Sequence, residues 1–83
     1  MPPEKGPRKR PLDVLNATLN ARVIVQVRGQ KEYRGVLDGY DHPHMNLVLK
    51  NAEEVQHAGT PEETTQRHDL IILRGDNIIF ISP

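Results

Sequence analysis

The 83-residue sequence predicts an all-β domain, a strongly bent five-stranded small barrel preceded by a short N-terminal α-helix. Three observations carry this expectation. From Val23 onward, apolar residues fall into five short runs, the first of them at period two, separated by turn residues. Before that point, Leu12, Leu15 and Leu19 keep helical spacing instead. Inside the second run, Gly35 and Gly39 imply a sharply bent strand or a close backbone approach, as small barrels require. A chain of this length makes one domain and hardly two.

The first ten residues hold Pro2, Pro3, Gly6 and Pro7 among charges, with only Met1 to bury, and are expected to be a flexible basic tail. The folded domain is placed over 11–83. Pro11 suits the first position of a helix, where its missing N–H has no helical partner to lose. The helix is expected over about 11–19, with Asn20 able to cap its end. In Val23-Ile24-Val25-Gln26-Val27-Arg28 the valines share one face, and β-branching favours a strand. Arg28 to Lys31 is a turn in which Gly29 can take positive φ. Tyr33 to Tyr40 forms the second strand, and Asp41-His42-Pro43-His44 breaks it because Pro43 cannot donate to a ladder. Met45 to Lys50 resumes the alternation as a third strand, able to run on to Val55. Asn51 to His68 is polar and almost free of aliphatics, a longer loop in which Thr60-Pro61-Glu62-Glu63 has the spacing to start one helical turn. Asp69 to Leu73 is the fourth strand, Arg74 to Asn77 a tight turn, and Ile78 to Ile81 the fifth. The last two strands are apolar on both faces, so their edges need a cover.

Composition narrows the function. Lys plus Arg and Asp plus Glu are both 11, which excludes a bulk polycation. The charge is nonetheless uneven: Lys5, Arg8, Lys9 and Arg10 against Glu4 give residues 1–11 a net +3, leaving −3 on the rest. With no cysteine there is no disulfide framework, thiolate nucleophile or thiolate metal site. An intracellular, cytoplasmic setting is expected, and no apolar stretch approaches the roughly 20 residues of a membrane span. Three aromatics leave an aliphatic core, and a domain this small without disulfides gains from subunit association. Neither a Ser-centred elbow, a phosphate-cradling Gly run nor a paired-acid motif is present, so no enzyme activity is expected. His42, His44, His57 and His68 lack metal-ligand spacing, and no metal or cofactor is expected. Arg74-Gly75-Asp76 between apolar strands is a structural turn and not an adhesion tripeptide. Asn16-Ala17-Thr18 fits a glycosylation acceptor but lies in the expected helix of a chain with no secretion signal.

Two spaced blocks carry a family resemblance. The first is Val23-x-Val25-x-Val27-x-Gly29, Tyr33-x-Gly35-x-Leu37, Tyr40-Asp41 and Met45-Asn46-Leu47-x-Leu49; the second is Ile72-Leu73-Arg74-Gly75-Asp76-Asn77-Ile78. Together they resemble the signature blocks of the Sm and Sm-like (LSm) proteins. Arg10-Pro11-Leu12-Asp13-Val14-Leu15 is similar to the helix that opens archaeal members, and the whole covers about 70 of the 83 residues. The resemblance implies a ring in which the fourth strand of one subunit pairs with the fifth of the next. It implies a homo-oligomer, most often a heptamer with a hexamer as the alternative, binding uridine-rich single-stranded RNA around its pore. By the same resemblance, His44 stacks on uracil, Asn46 hydrogen-bonds the base, Arg74 contacts its other side and Asp76 orients Asn46. Arg10 and Tyr40 are implied as a second nucleotide site. The chain departs from the archaeal pattern in having three residues, His42, Pro43 and His44, between Asp41 and Met45-Asn46, where two are usual.

The residue chemistry agrees with this implication. An imidazole and a guanidinium can sandwich a base while an amide matches its donor and acceptor. The plainer alternatives are a turn made by His44 and Asn46, an ion pair at Arg74, a helix-anchoring Arg10 and a rim Tyr40. The tail either steers RNA or keeps the protein soluble. As a function, the resemblance implies an RNA chaperone or assembly platform, with partners among RNA-processing proteins; the alternative is a protein scaffold ring with incidental RNA binding.

Overall fold

In the computed structural model the described residues are 10–83, so the expected tail lies outside them apart from Arg10. Helix α1 spans Pro11–Ala17 with Pro11 in its first turn and Asp13 beside the positive end of the helix dipole. It is shorter than expected because Thr18 turns back on it: the Thr18 hydroxyl donates to the Leu15 carbonyl at 2.9 Å. Asn20 then takes a left-handed φ of 69°, and its N–H donates to the Leu37 carbonyl at 2.7 Å. The exit of the helix is thereby tied to the sheet. Leu15 is its one buried side chain, with Leu19 packed against the core.

Five strands follow: β1 (Arg22–Val27), β2 (Lys31–Tyr40), β3 (Leu47–Gln56), β4 (Thr64–Leu73) and β5 (Ile78–Ser82). They form one antiparallel sheet in the order β4-β3-β2-β1-β5. The sheet is bent but not closed, since β4 and β5 are its two edges. The bend has a local cause. The β2–β3 register shifts between Arg34 and Val36 and again between Leu37 and Gly39. At Gly35 a Cβ would lie 2.9 Å from the Ala52 Cβ, so glycine is what lets the two strands approach.

Inside the curve sit Val23, Val25, Leu37, Leu47, Leu49 and Ala52, all nearly or fully inaccessible. Burying each of the larger side chains contributes about 1.5–3 kcal/mol. The expected alternation of β1 holds, with the three valines facing inward.

The stretch 51–68 differs from expectation. β3 runs on to Gln56, close to the extension to Val55 allowed from the sequence, but β4 begins already at Thr64, so only 57–63 form the connection and not a long loop. Backbone pairing from Ala52↔His68 to Gln56↔Thr64 explains why polar residues become strand here. Thr60 to Glu63 makes a single hydrogen-bonded turn, Glu63 N–H to Thr60 carbonyl at 3.1 Å, and no helix.

Candidate nucleic-acid interface

Two connections meet at one end of the sheet. The loop 41–46 joins β2 to β3, and a 3₁₀ turn, Gly75–Asn77, joins β4 to β5. The first is closed by its own ends: Asp41 N–H donates to the Asn46 carbonyl at 3.0 Å, and Asn46 N–H donates to Asp41 Oδ1 at 3.1 Å. Met45, at φ 58°, sits between His44 and Asn46. The second connection is pressed onto the first. A Cβ on Gly75 would fall 1.8 Å from the His44 carbonyl oxygen and 2.8 Å from that of Met45. Only a glycine fits there.

His44, Asn46, Ile72, Arg74 and Asp76 line one recess of about 450 Å³ between these connections. All four residues implied for the base site are therefore brought together. Their internal partners are not all as expected. Asp76 makes no hydrogen bond to Asn46; its carboxylate pairs with Arg74, Nη2 to Oδ2 at 3.4 Å. The Asn46 amide is held by two other groups. Its Oδ1 accepts from Gly75 N–H at 2.9 Å, and its Nδ2 donates to Asp41 Oδ2 at 3.4 Å.

This arrangement has a chemical consequence. Gly75 N–H can only donate, and an ionised Asp41 can only accept, so the amide has one favoured way round. One amide hydrogen and one carbonyl lone pair of Asn46 remain unused. They fit a partner edge that offers an acceptor beside an N–H donor, as uracil does with O4 and N3–H. Cytosine offers the reverse pattern and meets donor with donor. His44 and Arg74 are both exposed, and an imidazole and a guanidinium are flat groups of the kind on which a base can stack.

His42 is exposed in the same loop but is not part of the recess wall. Arg10 and Tyr40 lie elsewhere. Arg10 occupies the position before α1 without a capping hydrogen bond from its side chain, and the Tyr40 hydroxyl points to the Leu12 carbonyl at 3.5 Å, a long contact. Both thus stand near the first turn of α1. Sequence reasoning assigned no role to Asp41 or Ile72 at the recess, and for Gly75 it foresaw only a turn. A carboxylate opening a short loop that ends in Asn was the available signal for Asp41.

A helix followed by a five-stranded bent sheet with two open edges, and an Asn–His–Arg recess where two connections meet, place the chain among small β-modules with an Sm-like plan. The match to known proteins is direct. The LSM domain family model covers residues 13–83, and the chain belongs to the LSM domain family. It is 50% identical over 74 residues to an snRNP Sm-like protein of Archaeoglobus fulgidus, spanning 89% of this chain and 90% of that one. Among solved structures, the Pyrococcus abyssii Sm protein in complex with a uridine heptamer is 41% identical with a TM-score of 0.78, covering 90% of this chain and 99% of that one. A heptameric archaeal Sm protein is 33% identical with a TM-score of 0.72, covering 84% and 94% respectively.

Proposed function

We propose that the chain assembles into a homoheptameric ring that binds uridine-rich single-stranded RNA and performs no chemistry of its own. It serves as an RNA chaperone or assembly platform in cytoplasmic RNA processing or turnover, working with RNA-processing proteins. The observation that carries this reading is the Asn46 amide, pinned by Gly75 and Asp41 so that its free donor and acceptor complement uracil. The uridine complex of the Pyrococcus abyssii relative and the heptameric state of the archaeal one support it. In it His44 and Arg74 sandwich the base, Asn46 reads the edge, and Asp76 steadies Arg74. Arg10 and Tyr40 form an ancillary nucleotide site near α1, and the basic tail adds long-range attraction. Among the described residues no helix is long and apolar enough to cross a membrane.

Filter binding of six-nucleotide U, C and A homopolymers to the ring tests this. Asn46→Ala is expected to erase most discrimination of U from C, about tenfold, because only a hydrogen-bonding partner senses the difference. Unchanged uridine selectivity in an intact Asn46→Ala ring overturns the assignment.

A further inference from the structure

Strand β4 is ten residues long and β5 only five. In the proposed head-to-tail ring, β5 of the next copy therefore covers about half of the outer edge of β4. The exposed apolar side chains Leu70 and Ile72 belong to the half nearer the 3₁₀ turn, the half that gains from cover. The other half, Thr64 to His68, keeps a row of backbone N–H and carbonyl groups that faces no strand. Such an edge is ordinarily blunted by proline, a bulge or several charges. Thr64 to His68 has no proline, and Arg67 is its one formal charge. Its pairing with β3 keeps a single register from Ala52↔His68 to Gln56↔Thr64, so no bulge twists it away. Thr64 to Arg67 are exposed, and the two threonines favour extended backbone. The edge is open to one more strand.

Charge selects which strand. Glu53, Glu54, Glu62 and Glu63 against Arg67 give 51–68 a net −3, which is the entire net charge of residues 12–83. Glu62 and Glu63 are exposed in the connection that leads into Thr64. A phosphate backbone is repelled there, and so is the same edge of a second copy.

We infer that the outer half of β4 is a strand-addition site for an extended, lysine- or arginine-rich segment of a partner protein. Backbone pairing supplies the hold, and the acids of the hairpin supply the preference for a cationic segment. The inference rests on the ring reading, which determines how much of β4 stays open.

The probe is an eight-residue peptide alternating lysine and threonine, added to the assembled protein at about 1 mM, and backbone amide exchange by NMR is the readout. In the free ring every second amide of Thr64–His68 is expected to exchange fast, because alternate residues point their N–H away from β3. The peptide is expected to slow those amides severalfold. The same peptide N-methylated at every residue has the charge but no N–H to complete a ladder, and is expected to leave them fast. A glutamate–threonine peptide is expected to bind about tenfold more weakly at low salt. Glu62→Gln/Glu63→Gln, which keeps an acceptor for the Gly59 N–H now at 2.8 Å from Glu63 Oε1, is expected to remove most of that difference. Slow exchange at those amides in the free ring means that a second copy or residues 1–9 already cover the edge, and overturns the inference. So does an intact ring in which the lysine peptide changes no amide, the N-methylated or glutamate peptide protects equally, or a six-nucleotide U homopolymer gives the same protection. A monomer in native mass spectra overturns the ring reading instead, and with it the limit of the site to the outer half of β4.

Discussion

An amide can sit either way round in a recess at little steric difference, and in the proposed base site the choice decides whether it favours uracil or cytosine. Here a carboxylate and a backbone N–H make that choice for Asn46. Asp41→Ala is therefore expected to lower the preference of U over C by about tenfold while stacking affinity largely survives, and Asp41→Asn, which keeps an acceptor, to restore part of it. Competition filter binding with the two homopolymers measures both. Gly75→Ala acts differently. Its new Cβ collides with the His44 carbonyl, so the 41–46 loop must move, and affinity for every base is expected to fall about tenfold or more. Comparison of U and A homopolymers distinguishes this uniform loss from a loss of selectivity. The grouping of His44, Asn46 and Arg74 was legible in the sequence through the spaced family blocks, and the structure brings the three to one recess. Asp41 was not, since a carboxylate beside a turn has many ordinary uses, and its importance lies in which atom it meets.

Among the elements, the β3–β4 hairpin shows where sequence pattern runs out. The helix, β1, β2 and β5 fall within a few residues of expectation because apolar periodicity marks them. The outer half of β4 carries Thr64, Thr65, Gln66 and Arg67, all exposed, so no alternation betrays it. It is a strand because β3 presents a ladder of backbone groups to pair. In β3 the burial of Glu53-Glu54 was the hidden part: as a pair of acids it suggests solvent, yet Glu54 is buried and Glu53 half-buried. Hydrogen bonds from His68 and then Gln56 hold the Glu54 carboxyl below its ordinary value of 4.5, against the opposing effect of burial. The sign follows directly. A lowered folded value gives stability that is present above the unfolded value and is lost as pH falls through the folded one. Glu54→Gln is expected to unfold at lower temperature than the unmodified protein at neutral pH. The gap should close in acid, below about pH 4.5. Thermal unfolding between about pH 7 and pH 3 checks this. The same carboxylate, after burial, keeps the Tyr33 hydroxyl above its usual range.

For the whole molecule, the telling fact is which hydrophobic residues remain outside. Leu70 and Ile72 on β4, and Ile79 and Phe80 on β5, are each more than half exposed, and they occupy the two free edges of one sheet. In the proposed ring, edge pairing between copies would cover them and satisfy both rows of backbone groups, coupling fold and assembly. Ile79→Lys places a charge in that seam and is expected to yield monomers or aggregates where the unmodified protein gives a ring. Light scattering with native mass spectrometry reads the outcome, and a stable folded monomer of the unmodified protein at about micromolar concentration contradicts it. Because the two edges are different strands, the pairing is head to tail, and such a chain of copies closes only when the rotation per copy divides a full circle. In the proposed ring that rotation is set by the angle between the two edge strands, β4 and β5, of a single subunit. The angle, in turn, depends on how far β2 folds over β3 where Gly35 rests on Ala52. The headcount of the assembly is thus a property of arc geometry inside one copy, set where the want of a single methyl group lets two backbones touch.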